Sequence, residues 1–101
     1  MINIENNFNE LVLNNKNISV VDFWAPWCIP CKIFSTTFEN VENAITNINF
    51  YKLNVENDKK NIAKKYGVMT IPTIILFKDG KEIKRNIGVL NEENLKKFLD
   101  T

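Results

Sequence analysis

The chain has no histidine, one arginine (Arg85) against twelve lysines, and only three glycines, three prolines and two cysteines in 101 residues. Without histidine, and with Cys28 and Cys31 its only thiols, one copy supplies at most half of the four ligands of a zinc site. So few glycines and prolines leave no Pro/Gly/Ser linker, and no repeat or charge block marks a domain boundary. One domain spanning residues 1–101 is therefore expected, since that length suits a single core. Charge of one sign is not in excess: 13 basic and 12 acidic side chains give a net charge of +1. Neither nucleic acid nor an anionic membrane is implied as a partner. No stretch approaches the roughly 20 apolar residues of a membrane helix. The start, Met-Ile-Asn-Ile-Glu, lacks the basic residues and apolar run of a secretory signal. If Met1 is the native start, the cytoplasm is the expected location. Asparagine is abundant, with 17 residues, but it is scattered through patterned segments. Together with the lysine bias, that reads as an AT-rich genome rather than as a prion-like tract.

What is present is well patterned. Ile2–Ile4 suggests a weak strand, and Phe8, Leu11 and Val12 a short helix ended by Asn14-Asn15. Ile18 to Trp24 is a nearly continuous β-branched run, as in a strand buried on both faces. From Pro30, the apolar positions Ile33, Phe34, Phe38, Val41, Ala44 and Ile45 recur at three and four and predict a long amphipathic helix. Ile48 to Val55 alternates as a strand, and 58–66 reads as a polar helix stopped by Gly67. Thr73 to Phe77 is a second buried strand. Asp79-Gly80 then signals a hairpin into Lys81–Ile87, and Asn91 opens a last helix with Leu95, Phe98 and Leu99 on one face. An early βαβ part and a late ββα part predict an α/β fold, a mixed sheet with helices on both faces.

The two cysteines stand three apart, where a buried strand passes into the long helix. Helical positions i and i+3 have Cα atoms about 5 Å apart, inside the window a disulfide tolerates. Cys28 falls where free N–H groups and the helix dipole favour a thiolate, the attacking species in disulfide exchange. Cys31, one turn on, is placed to resolve a mixed disulfide. Pro30 suits the first turn, where a missing N–H is harmless. A structural disulfide would constrain the unfolded chain little through so short a loop. Two inert buried thiols remain an alternative from the spacing alone.

The surrounding residues carry a resemblance over almost the whole chain. They are Val21-Asp22-Phe23-Trp24-Ala25-Pro26-Trp27-Cys28-Ile29-Pro30-Cys31-Lys32, then Lys52-Leu53-Asn54-Val55, Tyr66-Gly67-Val68, Ile71-Pro72-Thr73, Leu76-Phe77-Lys78-Asp79-Gly80 and Gly88. The sequence resembles the thioredoxin family. That resemblance implies the thioredoxin fold and a thiol–disulfide oxidoreductase that reduces protein disulfides. Cys28 is then the nucleophile and Cys31 the resolving thiol. Asp22 accepts the resolving thiol's proton, and Lys52 lies near it. Burial of Asp22 within Val20–Phe23 would raise its pKa toward that of a useful base, which supports the assignment independently. Pro72 matches a cis-proline facing the disulfide. Trp27, Ile29, Pro30, Ile71, Pro72, Gly88 and Val89 are implied as the surface that docks protein substrates. Trp24 and Phe23 read as core support. No cofactor or metal is implied. The implied partners are protein disulfides and a flavin-dependent thioredoxin reductase drawing on NADPH, and a monomer is expected. Two positions depart from the commonest family pattern: Ile29, where most members have glycine, and Thr36, where many carry a helix-kinking proline.

Overall fold

A computed structural model describes residues 2–4 and 7–100; of the expected domain of 1–101, Met1, Glu5, Asn6 and Thr101 lie outside the described residues. Among the described residues, five strands form one mixed sheet: β1 (Ile2–Asn3), β2 (Ser19–Trp24), β3 (Asn49–Asn54), β4 (Thr73–Lys78) and β5 (Lys81–Ile87), in the order β1-β3-β2-β4-β5. The β1–β3 and β3–β2 pairs are parallel, whereas β2–β4 and β4–β5 are antiparallel. Three α-helices, α1 (Ile29–Ala44), α2 (Ile62–Lys65) and α3 (Glu92–Leu99), and a π-helical turn at Asn9–Leu13 cover it. None of the described helices is long and apolar enough to cross a membrane.

Because side chains alternate along a strand, β2 feeds two cores. Val20, with Phe50, Ile74 and Leu76, meets Phe34, Phe38 and Val41 of α1 and Leu95 and Leu99 of α3. Val21 and Phe23, with Tyr51, Leu53, Ile75 and Phe77, meet Phe8, Val12, Ile62 and Ala63 on the opposite side. The next residue of β2 on the Val20 face is Asp22, so a carboxylate continues an apolar file toward the start of α1.

Several elements differ from the sequence expectation in ways that have local causes. The expected helix over 58–66 shrinks to Ile62–Lys65, because Asn61 adopts a left-handed conformation (φ 54°). Asp58 caps the shortened helix from a distance: its two carboxylate oxygens accept the N–H groups of Ile62 and Ala63, both at 2.8 Å. Gly67 (φ 67°) does stop it, with Val68 N–H donating to Ala63 C=O and Gly67 N–H to Lys64 C=O. That is the paired closure that favours glycine just past a helix. On α1, Ile33 is exposed rather than core-facing, as is Ala44; Cys31, Phe34, Phe38 and Val41 turn inward. The β4–β5 turn is the expected one, with Asp79 and Gly80 both at positive φ (53° and 76°). A Cβ on Gly80 would run into the Leu13 carbonyl, so this hairpin tip packs backbone to backbone on the π-helical turn. Asn91 opens α3 by accepting the Asn94 N–H at 2.8 Å.

Candidate active site

The site forms where β2 ends and α1 begins. Cys28 is the N-cap of α1, with extended backbone (φ −88°, ψ 109°), and its Sγ accepts the Cys31 N–H at 3.2 Å. This is the geometry by which Ser or Asp caps a helix, with sulfur in the oxygen's place. Pro30 occupies the first turn and, lacking an N–H, removes one donor that would otherwise be unpaired there. Cys28 and Cys31 are joined as a disulfide, with Cα atoms 5.2 Å apart. Both residues are buried against Ala25, with Trp24, Val55 and Ile71 packed around them.

The β3–β4 side supplies the facing wall. The Ile71–Pro72 peptide is cis, and the Ile71 carbonyl lies 3.9 Å from Cys28 Sγ. A disulfide sulfur carries no hydrogen, so this is a contact in the oxidised form. Pro72 itself is buried, while Ile71 is half-buried. Gly88 N–H donates to the Pro72 carbonyl at 2.8 Å, which brings the Gly88–Val89 segment beside the same wall. Around the buried sulfurs the rim is apolar and open: Trp27 is 66% exposed, Ile29 68% and Val89 47%. Exposed apolar side chains grouped about a reactive centre mark an interaction surface. Ile33, also exposed, lies one helical turn beyond Ile29 and lengthens that rim along α1.

Behind the disulfide lies Asp22, 2% exposed, whose Oδ1 has no hydrogen-bond partner among the described residues. Burial raises its pKa to about 7, against a smaller lowering by the positive charge of Lys52. Lys52 is the register partner of Asp22 across β2–β3 and so projects from the same face. Asp22, Lys52, Cys31, Trp24, Lys32, Ser35 and Thr36 line one cavity of about 180 Å³. That volume holds several waters, and it connects the second cysteine to the carboxyl.

The comparisons agree with this geometry. The family model for thioredoxin matches residues 1–101. The chain belongs to the thioredoxin family. It is 39% identical over 97 residues to the thioredoxin of Buchnera aphidicola subsp. Acyrthosiphon pisum, covering 95% of this chain and 89% of that one. Over 81 residues it is 41% identical to the thioredoxin of Mycoplasma genitalium, covering 80% of this chain and 78% of the other. The crystal structure of Malassezia sympodialis thioredoxin superposes with a TM-score of 0.83 at 30% identity, covering 97% of this chain and 86% of that one. The fold is thus the thioredoxin fold, and the Cys28–Cys31 pair makes the protein a thiol–disulfide oxidoreductase.

Sequence reasoning underestimated one residue. Trp24, read as core support, packs against the cysteine cluster and carries the Lys52 ammonium 5.1 Å from its ring centroid. The available signal was its spacing: two residues after Asp22 on a strand, it had to share that carboxyl's face.

Proposed function

We propose that this thioredoxin-family chain works as a reductant of disulfides in other proteins, as a monomer and as a single domain of 1–101. The observation that carries the reading is the Cys28 sulfur, capping α1 and accepting the Cys31 N–H beneath an open apolar rim. In the reduced protein, that N–H and the helix dipole would favour a Cys28 thiolate. The thiolate attacks one sulfur of the substrate disulfide, forming a mixed disulfide and releasing the first substrate thiolate. Cys31 gives its proton to Asp22 through the shared cavity and attacks Cys28 Sγ. The second substrate thiolate leaves, and two electrons have passed from the dithiol to the substrate. Lys52 tunes Asp22 by its charge. Trp27, Ile29, Pro30, Ile71, Pro72, Gly88 and Val89 form the docking surface, with extended substrate backbone running beside Ile71 in the manner of an added strand.

Turnover requires the Cys28–Cys31 disulfide to be reduced again, and a flavin-dependent thioredoxin reductase using NADPH is the proposed donor. A reducing compartment such as the cytoplasm is where such a dithiol would be kept ready. The test is insulin reduction coupled to NADPH and a thioredoxin reductase. The wild type should turn over and the Cys28→Ser/Cys31→Ser double variant should not. Cys28→Ser alone should be inactive, whereas Cys31→Ser should accumulate mixed disulfides with proteins. Limiting alkylation that labels Cys31 before Cys28 would reverse the two roles.

A further inference from the structure

Three side chains leave the sheet on one face, below the start of α1. Asp22 and Trp24 are two apart on β2, and Lys52 is the register partner of Asp22 on β3. The Lys52 ammonium sits 5.1 Å from the Trp24 ring centroid, within cation–π range. Among the described residues no hydrogen bond reaches Asp22 Oδ1, and no contact ion pair joins Asp22 to Lys52. A lysine beside a buried carboxylate would ordinarily close onto it, because an unpaired buried charge is strongly disfavoured. Here the cation stands over an aromatic face instead. The ring is itself partly buried and packs against the cluster of Ala25, Cys28 and Cys31.

We infer that Trp24 is a positioning residue for the Asp22–Cys31 proton transfer: its indole face holds the Lys52 ammonium short of a contact ion pair with Asp22. The inference rests on the reading of Asp22 as the acceptor of the Cys31 proton. A closed Asp22–Lys52 pair would keep the carboxylate ionised and make it a poor base. Held over the ring, the ammonium lowers the Asp22 pKa only in part, and burial remains the larger effect. The other groups facing Asp22 are accounted for. From α1, Lys32 and the Cys31 sulfur line the same cavity, and Lys32 is exposed; from β4, the residue opposite Asp22 is Ile74, which does not titrate.

The experiment follows the Asp22 carboxyl by ¹³C NMR titration of the oxidised protein, in which neither thiol titrates. Trp24→Leu should lower its midpoint by about one pH unit or more, as expected when an opposite charge closes to contact. Trp24→Phe, which keeps an aromatic face, should retain most of the original value. In a Lys52→Met background, Trp24→Leu should no longer lower the midpoint. An unchanged or raised midpoint in Trp24→Leu overturns the inference, and so does an equal fall in the Lys52→Met background. A measurement on the wild type needs no variant to fold: the Lys52 ε-methylene protons should be shifted upfield by the indole ring current, and random-coil values would overturn the placement. Failure of the underlying reading has a different signature, namely an Asp22→Asn protein that resolves mixed disulfides as fast as wild type.

Discussion

At the residue scale, the burial that suits Asp22 to the proton transfer proposed for it works against stability. Its pKa is near 7 in the folded protein, against an ordinary value of 3.8. Below about pH 4 the carboxyl is neutral in both states and the shift has no effect on stability. As pH rises from about 4 to 7, the unfolded chain ionises while the folded one holds its proton, so stability falls. Above about 7 the penalty is complete, at most roughly 4 kcal/mol. Asp22→Asn should therefore gain on wild type progressively between pH 4 and 7 and then run parallel, as urea unfolding of the oxidised proteins would record. A difference independent of pH would assign the effect to packing instead. On the proposed mechanism, in which the ionised carboxylate accepts the Cys31 proton, the same substitution should remove the inflection near pH 7 from the resolving step. Ile29 is a second informative residue, apolar and largely exposed at the first position of α1. Since the Cys31 N–H still reaches Cys28 Sγ behind it, Ile29→Gly should move the reduction potential by less than about 30 mV. It should change kcat/KM for protein disulfides more than for a small disulfide. A larger potential change with unaltered substrate ranking would make Ile29 a determinant of redox poise.

At the scale of elements, what could be read from the sequence followed periodicity, and what could not followed hydrogen bonds made by side chains. The file of apolar residues in β2, the spacing of Phe34, Phe38 and Val41 in α1 and the Asp79-Gly80 turn were each legible because a repeat or a special φ is written directly in residue type. The start of α2 was not, since it depends on Asp58 reaching across three residues to the N–H groups of Ile62 and Ala63. Ile33 was misplaced for a related reason: next to Phe34, it counts as apolar in a pattern yet points about 100° away on the helix. In the site, Cys28, Cys31 and Asp22 were legible from placement at the end of a buried strand. The role of the Trp24 face was not, because it depends on where a flexible lysine settles. Asp58→Ala should destabilise α2 by about 1–2 kcal/mol, the loss typical of a helix cap. Amide exchange should speed up across Ile62–Gly67 while the residues of α1 keep their protection; uniform acceleration would show that α2 does not open on its own.

At the scale of the whole molecule, the core that holds Phe8 meets the redox centre only at its edge, through Val55 and Ile71, which pack against both. Phe8, Tyr66 and Phe77 pack edge to face on the side away from α1, with centroids 5.4–5.7 Å apart. Phe8→Ala should destabilise the protein by about 3–5 kcal/mol, as for other buried aromatics. Because Phe8 is not among the residues clustered on the cysteines, which its core meets only through Val55 and Ile71, kcat/KM per folded molecule should stay at the wild-type level at low temperature. A matching fall in activity of fully folded protein would mean that the two faces are coupled. The strand order has one more consequence, for the protein while it is being made. β2 lies mid-sheet between β3 and β4, so the strand that closes one flank of the cysteine-bearing segment comes late in the chain. Ile71, the wall against Cys28, follows it by 43 residues, which at 5–20 residues per second is roughly two to nine seconds of translation. During that interval the nascent chain presents both thiols without their facing wall. Over that interval the thiols are therefore open to reaction from a side that the finished fold closes.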